Sequence, residues 1–109
     1  MIVTIQPGWP ESPFKIIYLQ NDFICKVDPE WFGILATKHW YAKQSLCKYY
    51  ACRKVVEDGI TWFERMHRVV AATQPGMVCH HINNNSLDNR RANLRNMTYF
   101  EHAKLYSYW

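Results

Sequence analysis

An Asp-Gly pair at positions 58 and 59 separates two runs that are rich in aromatic and β-branched residues, "YYACRKVV" and "TWFERMHRVV". Asp-Gly is typical of the tight turn between antiparallel strands, because both residues accept the positive φ angles that this turn requires. With the earlier run "HWYAKQ", the pattern predicts a three-stranded antiparallel sheet. The chain has 109 residues, enough for one domain with a modest core, so this sheet must make up a large part of the fold.

Weaker signals precede this sheet. Residues 1–13 contain three prolines and a glycine, which predicts an irregular arm. The runs "FKIIYLQ" and "FICKV" are separated by Asn21-Asp22 and predict a hairpin. The segment "DPEWFGILA" predicts a short helix, with Asp28 at the N-cap and Pro29 in the first turn.

The last part of the chain reads as strand, polar loop, short strand and helix. "MVCHHI" and "NLRNM" predict the strands, and "NNNSLDNRRA" predicts a structured loop between them. Thr98 and Glu101 match a capping box, so a final helix is expected from about Tyr99 to Tyr106, with His102 on its apolar face. We therefore expect an α+β protein: an N-terminal antiparallel sheet with a short helix in residues 1–74, and a smaller unit in residues 75–109.

Basic residues are distributed unevenly along the chain, whose formal net charge is +4. The segment from Lys38 to Lys54 contains five basic residues, several aromatic residues and no acidic residue. This mixture is typical of surfaces that bind nucleic acids, although an ordinary basic surface can have the same composition. Candidate DNA contacts in this segment are Lys43, Lys48, Arg53 and Lys54.

The cysteine pattern and the apolar pattern argue against other classes of protein. The four cysteines include no CxxC pair, which disfavours a zinc ribbon or zinc finger. The chain opens without the basic and apolar regions of a signal peptide and has no apolar run of roughly 20 residues. We expect a cytoplasmic protein with reduced thiols and no membrane partner.

Residues 79–95, "CHHINNNSLDNRRANLR", concentrate groups that bind metals and phosphates. Neighbouring side chains on a strand point to opposite sides, so His80 and His81 are expected to divide the work, one ligating a metal and the other taking a proton. An amide such as Asn93 could fix the ring of the base. Three arginines could hold phosphates through forked donors: Arg90, Arg91 and Arg95. Such parts could activate a water beside a phosphodiester.

Three segments, "HHINNN", "LDNRRANLR" and "TYFEHAK", resemble the core of the HNH endonucleases, the ββα-metal class, and most closely the small phage and homing-type members. "MHRVV" resembles the strand that precedes this core, and "FICKVDPEWFGIL" and "HWYA" resemble the amino-terminal region of such proteins. The resemblance covers most of residues 15–106. It implies a ββα-metal (HNH) module in residues 75–109.

The resemblance also implies roles for single residues. His81 matches the general base, Asn93 the residue that orients it, and His102 a metal ligand. His80 stands where many members have an aspartate ligand, which makes the site softer. One divalent ion is implied, Mg²⁺ or Mn²⁺, with Ni²⁺, Co²⁺ or Zn²⁺ also suitable for a site with two histidines. The implied activity is metal-dependent hydrolysis of double-stranded DNA.

Other interpretations of the same residues stay open. A catalytically inactive HNH-like module would bind DNA without cutting it, and a metal-stabilised structural domain would unfold on chelation. As an enzyme, a monomer would nick one strand, and a homodimer could cut both. In the run "MHR", Arg68 is a further candidate DNA contact. His67 in the same run could pack behind the site or touch a phosphate.

Overall fold

The computed structural model describes residues 13–105, so almost all of the predicted irregular arm lies outside the described residues. Short helices and small antiparallel sheets alternate along this part of the chain, in agreement with the predicted α+β class. The elements are β1 (Lys15–Tyr18), β2 (Ile24–Val27), α1 (Pro29–Leu35), β3 (Tyr41–Ser45), β4 (Lys48–Glu57), β5 (Ile60–Arg65), α2 (Met66–Ala71), β6 (Met77–His81), β7 (Leu94–Thr98) and α3 (Tyr99–Lys104).

The predicted three-stranded antiparallel sheet is confirmed, with the order β3-β4-β5. Asp58 and Gly59 form the turn between β4 and β5, with φ angles of 51° and 76°. Strand β4 pairs with β3 as far as Cys52 and with β5 from Cys52 to Glu57. The far half of the β4–β5 hairpin therefore extends beyond β3 as a two-stranded ribbon.

The segment after β5 corrects the sequence interpretation. We expected "MHRVV" to continue as a strand, but β5 ends at Arg65 and helix α2 follows at once. Met66, His67, Val70 and Ala71 are buried. This spacing places them on one face of a helix, so packing against the core overrides the strand preference of the valines.

The core joins the two regions into which the sequence divides. One buried cluster contains Ile17 and Val27 from the first hairpin, Met66 from α2, and Cys79 and Leu94 from the last hairpin. The polar loop of residues 82–93 docks on β2 through backbone hydrogen bonds between Lys26 and Leu87 and between Asn89 and Lys26.

Helix α1 begins as predicted, with Asp28 at the N-cap and Pro29 in the first turn, but the Asp28 side chain does not cap it. Instead, Asp28 Oδ2 accepts a hydrogen bond of 2.7 Å from the backbone N–H of Arg91. The carboxylate thus ties the C-terminal loop to the N-terminal half.

The capping box of Thr98 and Glu101 is confirmed at the start of α3. The helix ends at Lys104, and Tyr106 lies outside the described residues. Its predicted apolar face is not buried within the described part of the chain, since Tyr99 is 69% exposed. Among residues 13–105, none of the helices has the length and apolar composition needed to cross a bilayer.

Candidate active site

The β6–β7 hairpin separates the two adjacent histidines, as alternation along a strand predicts. His81 pairs with Leu94 on the face that packs toward the core, and it is buried. His80 pairs with Arg95 on the other face, where it is half-buried. Helix α3 covers this second face and brings His102 to His80, with 5.4 Å between the ring centroids. Sequence and structure therefore agree on which histidines lie together.

An asparagine holds the His81 ring, but it is Asn89 rather than Asn93. His81 Nε2 lies 2.8 Å from Asn89 Oδ1, and Asn89 is 1% exposed. Since an amide oxygen only accepts, Nε2 carries the hydrogen in this bond, and Nδ1 is left as the ring atom that can accept a proton. Burial lowers the pKa of His81, and the Asn89 hydrogen bond opposes that effect in part. The ring is therefore neutral near pH 7.

The side chain of Asn93 joins the two ends of the polar loop instead. Its Oδ1 accepts from the Asn83 backbone N–H, and its Nδ2 donates to Asn83 Oδ1 and to the Asp88 carbonyl. Asn93 is fully buried at the point where the loop enters β7. The geometry thus replaces the expected contact between Asn93 and His81 with a role in shaping the loop that carries Asn89.

Arg90 lies in the interior of the same loop and is 1% exposed. Its Nε donates to Asp88 Oδ1 at 2.7 Å, and a second guanidinium nitrogen bonds Oδ2. Burial alone would raise the pKa of Asp88, but hydrogen bonds from Arg90 and Asn83 outweigh it and hold this pKa below its ordinary value. Arg90, expected from the sequence to bind phosphate, is thus enclosed in an ion pair, and we exclude it from the candidate DNA contacts.

His67 resolves toward packing behind the site, and its position was left open by the sequence. It is 4% exposed, and its ring centroid lies 4.9 Å from that of His81 and 5.3 Å from that of Tyr50. Its Nδ1 is buried and has no hydrogen-bond partner. Burial, with help from the charges of His81, Arg65 and Arg68, lowers the pKa of His67 to about 3. His67 is therefore a neutral wall of the site.

All four of these histidines line one cleft of about 490 Å³ between the β3–β4 turn, α2, β6 and α3. The cleft also has basic side chains at its walls: Lys48, Arg65 and Arg68. Arg68 holds the wall together as well, because its guanidinium donates to the carbonyls of Met77 and Gln74. Neutral imidazoles and positive charges thus surround the same space, which is suited to an anionic ligand.

The remaining candidate DNA contacts occupy different surfaces. Arg95 is exposed beside His80, while the exposed Arg91 donates through its guanidinium to the Leu94 carbonyl. Lys43 and Lys54 are exposed on the sheet. Arg53 faces the other way and pairs with Glu64 at 2.6 Å.

The sequence analysis missed Arg65 at the cleft. Counting the strand alternation from the Asp58-Gly59 turn would have found it, because Arg65 pairs with Cys52, which shares a face with Lys54. Asn89 carried no comparable signal, since docking of the loop on β2 decides which of its amides meets His81.

The fit of a divalent ion rests on the pair His80 and His102. Metal–nitrogen distances of roughly 2.0–2.1 Å place two imidazole centroids on one ion about 5 Å apart, close to the 5.4 Å between these rings. Burial, followed by the charges of His102, Lys48 and Arg95, lowers the pKa of His80, which favours the neutral form that ligates. Residues 13–105 contain no group of three or more His, Cys, Asp or Glu side chains arranged to hold a metal. Water or phosphate oxygens would complete the coordination.

Comparisons with models of protein families, with curated proteins and with solved structures found no significant match to this chain.

Proposed function

We propose that the protein is a metal-dependent DNA endonuclease of the HNH type that hydrolyses phosphodiester bonds. The observation that carries the proposal is the placement of two functions on opposite faces of one hairpin. The pair His80 and His102 suits a divalent ion, while His81, held by Asn89, suits a general base. Both groups line the same basic cleft.

His81 is the proposed general base. Its Nε2 is engaged by Asn89, so Nδ1 takes the proton from the attacking water. A base must be neutral before the reaction, and the lowered pKa of His81 provides this near pH 7. Tyr50 and His67 pack against the ring and limit its rotation.

His80 and His102 are the proposed ligands of one divalent ion, Mg²⁺ or Mn²⁺ with Ni²⁺, Co²⁺ or Zn²⁺ as alternatives. When bound, such an ion supplies positive charge for the phosphate and for the leaving 3′ oxygen. Lys48, Arg65 and Arg68 contribute further positive charge at the walls of the cleft. These side chains hold the scissile phosphate beside Nδ1 of His81.

Double-stranded DNA is the proposed partner, and one cleft cuts one strand at a time. A monomer then nicks, and a homodimer cuts both strands. A second candidate, an inactive HNH-like module that binds DNA without cutting, is favoured by one observation. The proposed metal site offers two protein nitrogens and no carboxylate, so it holds a hard ion such as Mg²⁺ less firmly than an aspartate-containing site would.

The test is conversion of supercoiled plasmid to open circles by the purified protein with Mg²⁺, Mn²⁺, Co²⁺ or Ni²⁺ added singly. We expect nicking with at least one ion and none in excess chelator. Circular dichroism in the same chelator separates the remaining interpretations. Nicking that stops while the fold persists supports the enzyme, and unfolding on chelation supports a metal-stabilised domain. DNA binding without nicking under every ion supports the inactive module.

A further inference from the structure

The two faces of the β3–β5 sheet differ in charge and in packing. One face carries Ala42 and Ala51, which are buried in the core, together with Arg53, which is neutralised by Glu64. The opposite face carries Lys43, Lys48, Lys54, Phe63 and Arg65, and we call it the basic face. Strand register places these side chains together, since Lys43 pairs with Tyr50, Lys54 with Phe63, and Arg65 with Cys52.

We infer that the double-stranded DNA substrate runs from the cleft along the basic face toward the β4–β5 hairpin, so that the sheet binds the duplex backbone next to the bond that is cut. This inference rests on the proposed nuclease function and names the surface that its substrate occupies.

The basic face is continuous with the cleft. Lys48 and Arg65 belong to both, since they line the cleft and also stand on this face of the sheet. Lys54 follows Lys48 by six residues on β4, which corresponds to about 20 Å along an extended strand. At 3.4 Å per base pair, that length matches roughly six base pairs of duplex.

The charges of the basic face are available to phosphate. Both glutamates of strands β3–β5, Glu57 and Glu64, pair with Ile60 and Arg53 and therefore point to the opposite face. Lys43 and Lys54 are exposed, and the Lys43 ammonium lies over the Phe63 ring at 4.8 Å from its centroid. A row of unpaired positive groups along an extended surface is complementary to a phosphate backbone.

The balance of charge and aromatic surface favours a duplex over a single strand. Proteins that bind single strands stack successive bases on several exposed rings. On the basic face, Phe63 is 51% exposed, whereas Tyr41 and Tyr50 are half-buried, and the Arg65 guanidinium lies 5.6 Å from the Tyr50 centroid. Phosphate contacts therefore dominate, and Phe63 contributes an apolar contact with the sugar or a base edge.

The test measures binding of a labelled 20-base-pair duplex by fluorescence anisotropy, in chelator so that no cutting occurs, at several salt concentrations. The double variant Lys43→Ala/Lys54→Ala should weaken binding and lower the slope of log affinity against log salt by roughly 1.8, or 0.9 per phosphate contact. A charge-matched control, Lys15→Ala/Lys38→Ala, removes two exposed lysines elsewhere on the surface and should leave the slope unchanged. Arg53→Ala, on the same strand but the other face, should also leave it unchanged.

Two further comparisons sharpen the assignment. Phe63→Ala should reduce affinity at a constant salt slope, because it removes no charge. A single strand of the same length should bind more weakly than the duplex. If the Lys43/Lys54 variant keeps the wild-type slope, or if the single strand binds more tightly in a manner that depends on Phe63, the inference is overturned.

Failure of this inference is distinguishable from failure of the proposed function. Binding in chelator does not depend on cutting. Metal-dependent nicking with an unchanged salt slope in the Lys43/Lys54 variant would move the DNA path elsewhere and leave the nuclease assignment standing. A changed slope without nicking under any ion would keep the surface and remove the enzyme.

Discussion

The loop of residues 82–93 and the β3–β5 sheet both carry basic residues that the sequence offers as DNA contacts, but they use these residues differently. In the loop, Arg90 is enclosed with Asp88, and both side chains are 1% exposed. In the sheet, Lys43 and Lys54 stand in solvent on one face, while Arg53 and Glu64 form a partly exposed pair on the other. The comparison teaches that burial and register, rather than residue type, separate a basic residue that builds the site from one that can meet a phosphate.

Removing the arginine from each ion pair should produce the largest difference between the two regions. Arg90→Ala leaves the Asp88 carboxylate buried without its partner, so we expect the free energy of unfolding to fall by about 3–5 kcal/mol. Arg53→Ala breaks a partly exposed pair and should cost at most about 1 kcal/mol. Urea denaturation followed by circular dichroism measures both. Equal losses in the two variants would contradict the assignment of Arg90 to the interior.

Within the loop, two asparagines should divide stability from catalysis. Asn93→Ala removes three hydrogen bonds of a fully buried side chain and should lower the free energy of unfolding by about 2–3 kcal/mol. Asn89→Ala removes the bond to His81 and should lower kcat for nicking about tenfold, close to the 1.4 kcal/mol of one hydrogen bond, at a smaller cost in stability. If folded Asn89→Ala cuts normally and folded Asn93→Ala does not, Asn93 orients the base.

The buried side of the site should also show in the acid stability of the protein. The pKa of His67 is about 3 in the folded chain and about 6.5 when exposed, so the unfolded state binds more protons between these values. Stability must then decrease as the pH falls through this window, by about 2 kcal/mol between pH 7 and pH 5. His67→Phe, which does not titrate, should lose less over this range. Parallel stability curves for the two proteins would show that His67 is not buried as a neutral ring.

The mildest expected effect lies on the half-buried face of the β6–β7 hairpin. His80→Asp replaces an imidazole nitrogen by a hard, charged oxygen, so nicking with Mg²⁺ should improve relative to nicking with Co²⁺. The quantity to compare is the ratio of the two rates in wild type and variant. An unchanged ratio, or a shift toward Co²⁺, would remove His80 from the proposed ligands.

Local chemistry explains which parts of the molecule the sequence predicts. The Asp58-Gly59 turn, the Thr98–Glu101 capping box and the opposite directions of His80 and His81 each depend on residues close together in the chain. Long-range packing decides the rest. Helix α2 forms where the valines favour a strand, because Met66 and Val70 reach the core from one helix face. Asn89 meets His81 because the loop docks on a strand and an N-cap about 60 residues earlier, where Asp28 binds the Arg91 backbone.

The central claim, that the cleft hydrolyses DNA with His81 as its base, is tested most directly by plasmid nicking with His81→Ala. The matched control is His39→Ala, which removes an exposed histidine that does not line the cleft. With the ion that best supports wild type, we expect His81→Ala to reduce the nicking rate by about 100-fold or more while DNA binding in chelator and circular dichroism stay unchanged. His39→Ala should nick at the wild-type rate. Nicking by His81→Ala at the wild-type rate would contradict the account.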